Sequence, residues 1–316
     1  MSENWHERPE LGGRSGMRAL RAFGLLCGRS CARLVLYPIT LYSFLRRTRE
    51  RADSRAYLTR ILGRPARNGE ILRHIFMYAA TILDRLFLLT DAELHRFEIT
   101  THGLDELNAQ VARGKGVLLL GAHIGSFEAL RALSAARPDV RVRAVMDLKQ
   151  TPELNEALHA LNPGIAANVI NAGEDPGALA LALHDAAQAG DLIGLLADRA
   201  RPNEATTDAQ FLGAPAAFPV APYMIASMLG LPVMFCTGLY RGGNRYDLYF
   251  ETFADEIRLS RAQRPAQLRE LTQRFADRLE HYTRLAPYNW FNFYDFWHRP
   301  ADEPVVHGAT ITRRTA

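Results

Sequence analysis

From about residue 95 onward, short apolar runs alternate with helical stretches. The runs are Gly116–Leu120, Val140–Val145, Asn168–Ile170, Leu192–Leu196, Pro232–Leu239 and Tyr246–Phe250. Helical patterns fall near 126–136, 151–160, 176–188 and 219–229, and a closing helix over 264–285. Runs this short and this apolar suit strands buried on both faces. Helices between them then cover a sheet whose strands are mostly parallel. Residues 50–91 read as helical, with breaks at Gly63–Pro65 and Asn68–Gly69. The expected class is therefore α/β, a mostly parallel central sheet flanked by helices, with an N-terminal amphipathic helical arm. The chain divides into that arm at 1–47, an α/β domain at 48–300 and a polar, flexible tail at 301–316.

Charge sharpens the reading of the arm. The first 75 residues hold fifteen arginines against six acidic residues, in a chain whose net charge is +4. A basic arm on a mildly acidic body points to an anionic partner surface. Arg14, Arg18, Arg21, Arg29 and Arg33 share one arc of a helical wheel, while Leu20, Phe23, Cys27, Cys31 and Leu34 project oppositely. This pattern predicts a helix lying in a membrane interface with its arginines towards lipid phosphates. The alternative is a surface helix with solvated arginines. Pro38 is expected to kink or end the helix. No cleavable signal peptide is expected after the polar start MSENWHERPE, and the apolar stretch Leu34–Leu45 is too short to span a bilayer. Three cysteines, Cys27, Cys31 and Cys236, make no disulfide framework and are expected to pack as small hydrophobes; no metal site is expected.

The chemistry concentrates in Gly116-Val-Leu-Leu-Leu-Gly-Ala-His123-Ile-Gly-Ser-Phe-Glu128. This reads as a buried strand, a turn bearing His123, and a helix start. Ligands of parallel sheets bind beyond the carboxyl ends of strands, where His123 falls. An imidazole is the side chain best matched to accept a proton near neutral pH. Glu128, one turn into the expected helix, can fold back to the imidazole and fix its tautomer. Gly121 and Gly125 permit close backbone approach, and the new helix would offer free N–H groups to an anion. The plain alternative is a capped helix with an incidentally buried histidine. Ser126 lacks the Gly-x-Ser-x-Gly setting of a serine hydrolase.

Taken with a second block, the pattern resembles a known family. His123-x4-Glu128 after GVLLLGA is similar to the His-x4-Asp/Glu motif of lysophospholipid acyltransferases. It resembles most the late lauroyl and myristoyl transferases of lipid A biosynthesis. Leu195-Leu-Ala-Asp198-Arg199-Ala-Arg201, then Phe211-Leu-Gly213 through Pro219 to Pro222, and the ending Asn289-Trp290-Phe291, follow in the same order. Arg199 stands where that family carries Gln. The Asp147–Asn155 block, with Lys149, lacks the arginine expected near Asn168. The resemblance implies acyl transfer from acyl-carrier protein or acyl-CoA to a hydroxyl of a lipid or glycolipid, with no cofactor. His123 and Glu128 would be catalytic. Asp198, Arg199, Arg201, Gly125, Ser126, Lys149, Gly213 and Pro219 would contact substrates. The two arginines could serve an oxyanion, clamp an acceptor phosphate or be plain surface charge. The implied place is the cytoplasmic face of a bacterial inner membrane, held through the arm.

Other readings stay open at this stage. A lysophospholipid or an aryl-polyene-type lipid could be the acceptor. The basic arm could serve a nucleic-acid-binding or scaffold protein, although nucleic acid has no need of its apolar face. The aromatic run Trp290–Trp297 could line an acyl path, rest at a membrane interface or close a core. Asp84 and Arg85 could pair with each other.

Overall fold

The computed structural model describes residues 13–130, 140–149, 152–173, 175–201, 204–298, 305–307 and 310–312. Three helices come first: α1 (Gly13–Arg46), α2 (Thr48–Leu62) and α3 (Asn68–Leu88). The α/β part follows as β1 (Glu98–His102), α4 (Leu104–Val111), β2 (Val117–Gly121), β3 (Val142–Met146), α5 (Pro152–Leu161), α6 (Pro163–Ala166), β4 (Ile170–Asn171), α7 (Pro176–Gln188) and β5 (Leu192–Leu196). Then come β6 (Thr206–Phe211), β7 (Ala214–Pro219), α8 (Ala221–Leu229), β8 (Val233–Gly242), β9 (Arg245–Ala254) and α9 (Arg264–Leu285). Two short strands, β10 (Val305–His307) and β11 (Thr310–Thr312), lie in the segment expected to be a loose tail.

Seven strands form the main sheet in the order β1-β9-β8-β2-β5-β3-β4. The five from β8 to β4 are mutually parallel, as the sequence rhythm implied. β9 runs antiparallel to β8, and β1 is parallel to β9. From β2 the chain moves out to β3 and β4, returns to β5, and crosses β2 to reach β8. β2 therefore stands at the point where strand order reverses, the usual place for a site.

The burial of β2 explains its unbroken apolar sequence. Val117, Leu118, Leu119 and Leu120 are all fully buried. Leu118 and Leu120 pack with Phe275 and Leu279 of α9 on one face. Val117 and Leu119 pack with Leu83 and Phe87 of α3 on the other. Successive side chains alternate across the pleat, so a strand covered on both faces must be apolar throughout.

A smaller sheet was not expected. It has the order β11-β10-β6-β7, with β6 and β7 joined by the turn Leu212–Gly213. Pro215 and Pro219 weaken a strand reading of β7, yet β7 is an edge strand, where proline is tolerated.

The arm is a helix from Gly13 to Arg46, interrupted at Gly28 (φ 78°) and continuous through Pro38. Two of its arginines do not face outward as expected. Arg29 makes a two-pronged ion pair to Asp84 of α3 at 2.7 and 2.8 Å, and Arg33 lies 3.8 Å from the same carboxylate. These two arginines turn towards the body, not outward. Asp84 is fully buried, takes a third hydrogen bond from the Tyr246 hydroxyl, and does not pair with Arg85. The outward stripe holds Phe23, Leu26, Leu34, Tyr37, Leu41, Tyr42 and Leu45. Cys27 and Cys31 are exposed beside it and not packed inside. The side chains of Arg14, Arg18 and Arg21 lie outside the described residues. No described helix is long and apolar enough to cross a membrane.

Candidate active site

Register places the central pair. β2 and β5 are adjacent and parallel with Gly121 opposite Leu196, and the Ala197 amide donates to the Gly121 carbonyl. Two residues beyond each strand end, His123 and Asp198 come side by side. Asp198 Oδ1 lies 2.8 Å from His123 Nδ1, and its carboxylate also accepts from the His123 amide at 3.2 Å. The Trp290 indole N–H donates to the other oxygen at 3.2 Å.

Electrostatics fix the protonation states. Burial alone would raise the Asp198 carboxyl, but the facing imidazole, Arg199 and the indole N–H hold it well below the usual carboxylate range. An ionised Asp198 can only accept, so His123 carries its proton on Nδ1. Burial and then the Arg199 charge lower the His123 pKa, with Asp198 pulling it back up. The imidazole is thus neutral at neutral pH, with a lone pair on Nε2. Among the described residues Nε2 has no hydrogen-bond partner, and 35% of the side chain is exposed while Asp198 is fully enclosed. This geometry can remove a proton from a hydroxyl brought to the surface of the site.

A family model for bacterial lipid A biosynthesis acyltransferases matches residues 16–299. The chain belongs to that family. It is an acyltransferase of the lipid A type. A comparison with curated proteins gives no match.

In this acyltransferase Glu128 is not where the sequence reading put it. The segment after β2 is no helix start. It is an extended turn whose residues pair with neighbours: the Gly125 amide donates to the Asn289 carbonyl and the Ser126 amide to the Gly238 carbonyl. A short 3-10 turn, Glu128–Leu130, follows, and residues 131–139 of the expected helix lie outside the described residues. The amides of His123 to Ser126 are all engaged and do not stand ready for an anion. Glu128 pairs with Arg85 of α3 at 2.7 Å and accepts from the Ser126 hydroxyl at 3.0 Å. The imidazole's carboxylate partner is Asp198, because strand register brings residue 198 to it while the turn carries Glu128 towards α3.

Gly125 has φ 66°, and a Cβ there would run into the Gly238 carbonyl oxygen. Its role is to let the His123 turn lie flat against β8. Arg199 donates to the Phe291 carbonyl at 2.7 Å, lies 3.8 Å from Asp198 and covers the Tyr294 ring. Arg201 donates to the Ala172 carbonyl beyond β4. Lys149 follows the end of β3 and is exposed. His123, Lys149, Arg199 and Arg201 thus share the carboxyl edge of the sheet. Gly213 (φ 79°) makes the exposed β6–β7 turn, and Pro219 is buried opposite Thr206. These two hold the hairpin. Among the described residues no cluster of His, Cys, Asp and Glu could hold a metal ion.

The aromatic ending is a clasp in the core. Trp290 is fully buried, in edge contact with Tyr57, Phe211 and Phe296. Its neighbours bind in sequence: Asn289 exchanges hydrogen bonds with the Tyr240 backbone, and the Phe291 amide donates to the His123 carbonyl. His74 went unnoticed in the sequence. It is fully buried on α3, donates from Nε2 to the Trp290 carbonyl at 2.9 Å and accepts from Ser54 at Nδ1 at 2.8 Å. Burial lowers its pKa to about 4, so it stays neutral. Its one legible signal was its place beside Ile71 and Ile75 on the apolar stripe of α3.

Proposed function

We propose that the enzyme moves a fatty acyl group from an acyl thioester, on acyl-carrier protein or coenzyme A, to a hydroxyl of a lipid A-like lipid or glycolipid. His123 Nε2 takes the hydroxyl proton as the oxygen attacks the thioester carbonyl carbon. The tetrahedral adduct collapses, the C–S bond breaks, and the imidazolium returns the proton to the leaving thiolate. Asp198 holds the imidazole in the productive tautomer and stabilises its charged form. General-base assistance of this kind is worth about 10²–10⁴ in rate. No covalent acyl-enzyme is needed.

The observation that carries this reading is the His123–Asp198 pair at the carboxyl ends of β2 and β5, with Nδ1 on Asp198 and the imidazole partly exposed. The outward stripe of α1 supports work on a membrane surface, and we place that surface at the cytoplasmic face of the inner membrane. Leucines there are exposed by 52–85%, and each one buried in lipid is worth roughly 1.5–3 kcal/mol. The nucleic-acid reading loses support, since Arg29 and Arg33 are committed to Asp84.

The test compares membrane lipids by mass spectrometry in cells carrying the wild type or His123→Ala. The wild type should add one acyl chain to a lipid A precursor, and the variant should not. An unchanged lipid profile in both, or full activity in His123→Ala, would sink the proposal.

A further inference from the structure

Arg199 sits beside the catalytic pair with its side chain turned into the protein, 13% exposed. Its guanidinium donates to the Phe291 carbonyl at 2.7 Å, covers the Tyr294 ring at 5.2 Å from the centroid, and lies 3.8 Å from Asp198. The amide of the same Phe291 donates to the His123 carbonyl at 3.0 Å. His123, Asp198, Arg199 and Phe291 therefore close a ring of contacts. It ties the end of β2, the end of β5 and the aromatic clasp to one another. The contacts direct the guanidinium at the protein's own carbonyl and ring, not outward at a substrate phosphate. Arg201, two residues on, takes no part in the ring; it donates to the Ala172 carbonyl and lies 3.9 Å from Glu204. Gln, which the family carries at position 199, is shorter and has no charge.

We propose that Arg199 is a positioning residue, which braces the catalytic pair against the clasp through the Phe291 carbonyl and sets a fixed positive charge beside the imidazole. This rests on His123 as the base. A nearby cation disfavours the imidazolium. Burial and then Arg199 lower the His123 pKa, Asp198 raises it, and Arg85 from α3 adds a smaller lowering. Residues 289–293 of the clasp carry no charge, nor do Gly238 and Leu239 of β8 against the turn. On its own turn, Glu128 is directed to Arg85. The Arg199 charge thus keeps the imidazole neutral, and able to take a proton, further into the acid range. Only the neutral imidazole works as a base. Removing the charge must raise the His123 pKa and move the acid limb of the rate profile to higher pH.

The test uses the full-length protein in detergent micelles, with thermal unfolding run on every variant. Rates with lauroyl-acyl-carrier protein and a purified lipid A precursor are measured across the acid limb of kcat/KM. Arg199→Gln should move that limb up by about half a unit to one unit. Arg199→Met keeps the packing of the stem and drops the charge, so it should give the same shift and stands in if the Gln variant unfolds. Arg199→Lys keeps the charge and should leave the limb in place. All three lose the brace, so kcat on the alkaline plateau should fall about tenfold with little change in KM. The second readout is a ¹⁵N NMR titration of the His123 imidazole, its signals identified by their loss in His123→Ala. It should show the same upward shift in the two neutral variants and none in Arg199→Lys. An imidazole pKa unmoved by the loss of the charge would overturn the inference. So would a defect confined to KM, which would assign Arg199 to the substrate. Full activity in His123→Ala would instead remove the general-base reading, while the NMR titration would still decide whether Arg199 sets the charge at the imidazole.

Discussion

Asp198 collects the charged and polar demands of the site. Fully enclosed, it accepts from the His123 amide, the His123 ring and the Trp290 indole, with Arg199 at 3.8 Å. An asparagine in its place would still fill the space, but its amide could donate to Nδ1 and flip the imidazole to the wrong tautomer. Asp198→Asn should therefore lose about 10²–10⁴ in kcat while remaining folded. Initial rates beside a thermal unfolding curve check this; wild-type turnover would contradict it. Gly125 makes a second residue-scale demand. Its positive φ and its contact with Gly238 leave no space for a methyl group. Gly125→Ala should push the His123 turn off β8 and abolish turnover, which an assay of soluble protein would show.

At the scale of elements, α1 has two unlike faces. The inward face is pinned by Arg29 and Arg33 on the buried Asp84, whose carboxyl is raised by burial against the pull of both arginines. Breaking a buried pair by removing one partner leaves the other uncompensated. Asp84→Ala should cost about 3 kcal/mol in denaturant unfolding, loosening the arm from α3. The outward face is apolar, so Leu26→Asn/Leu34→Asn/Leu41→Asn should leave stability nearly unchanged. It should also release the protein from vesicles rich in anionic lipid. Continued sedimentation with vesicles would refute the interfacial role. Removing residues 1–47 outright is the weaker experiment, because it strands Asp84.

Across the whole molecule, the buried His74 links folding to pH. Its folded pKa is about 4, below the ordinary histidine value of about 6.5. Between those values the unfolded chain takes up a proton that the folded one refuses. Stability is therefore full above about pH 6.5 and falls as pH drops towards 4, by roughly 3 kcal/mol in all. Denaturation midpoints at pH 7 and pH 5 should show the loss, and His74→Gln should reduce it. An equal pH dependence in that variant would assign the effect elsewhere. Because His74 holds the Trp290 carbonyl, this unfolding would open the clasp on His123 and Asp198 together.

The amino-acid sequence by itself carried what periodicity can carry. Leu192–Leu196 and the helix 264–285 match to the residue, and β2 is a strand one residue along from its reading. Buried strands and amphipathic helices write their burial into local pattern, and His123 was visible as a polar residue ending an apolar strand. Partners were not visible, because they depend on which strands lie adjacent and in what register. Neighbouring β2 and β5 gave His123 to Asp198, about 75 residues away, and sent Glu128 to Arg85. The helical wheel could not show that Arg29 and Arg33 turn inward. A buried carboxylate at Asp84 decided that, since desolvating it without Arg29 and Arg33 would cost more than exposing leucines to the surface.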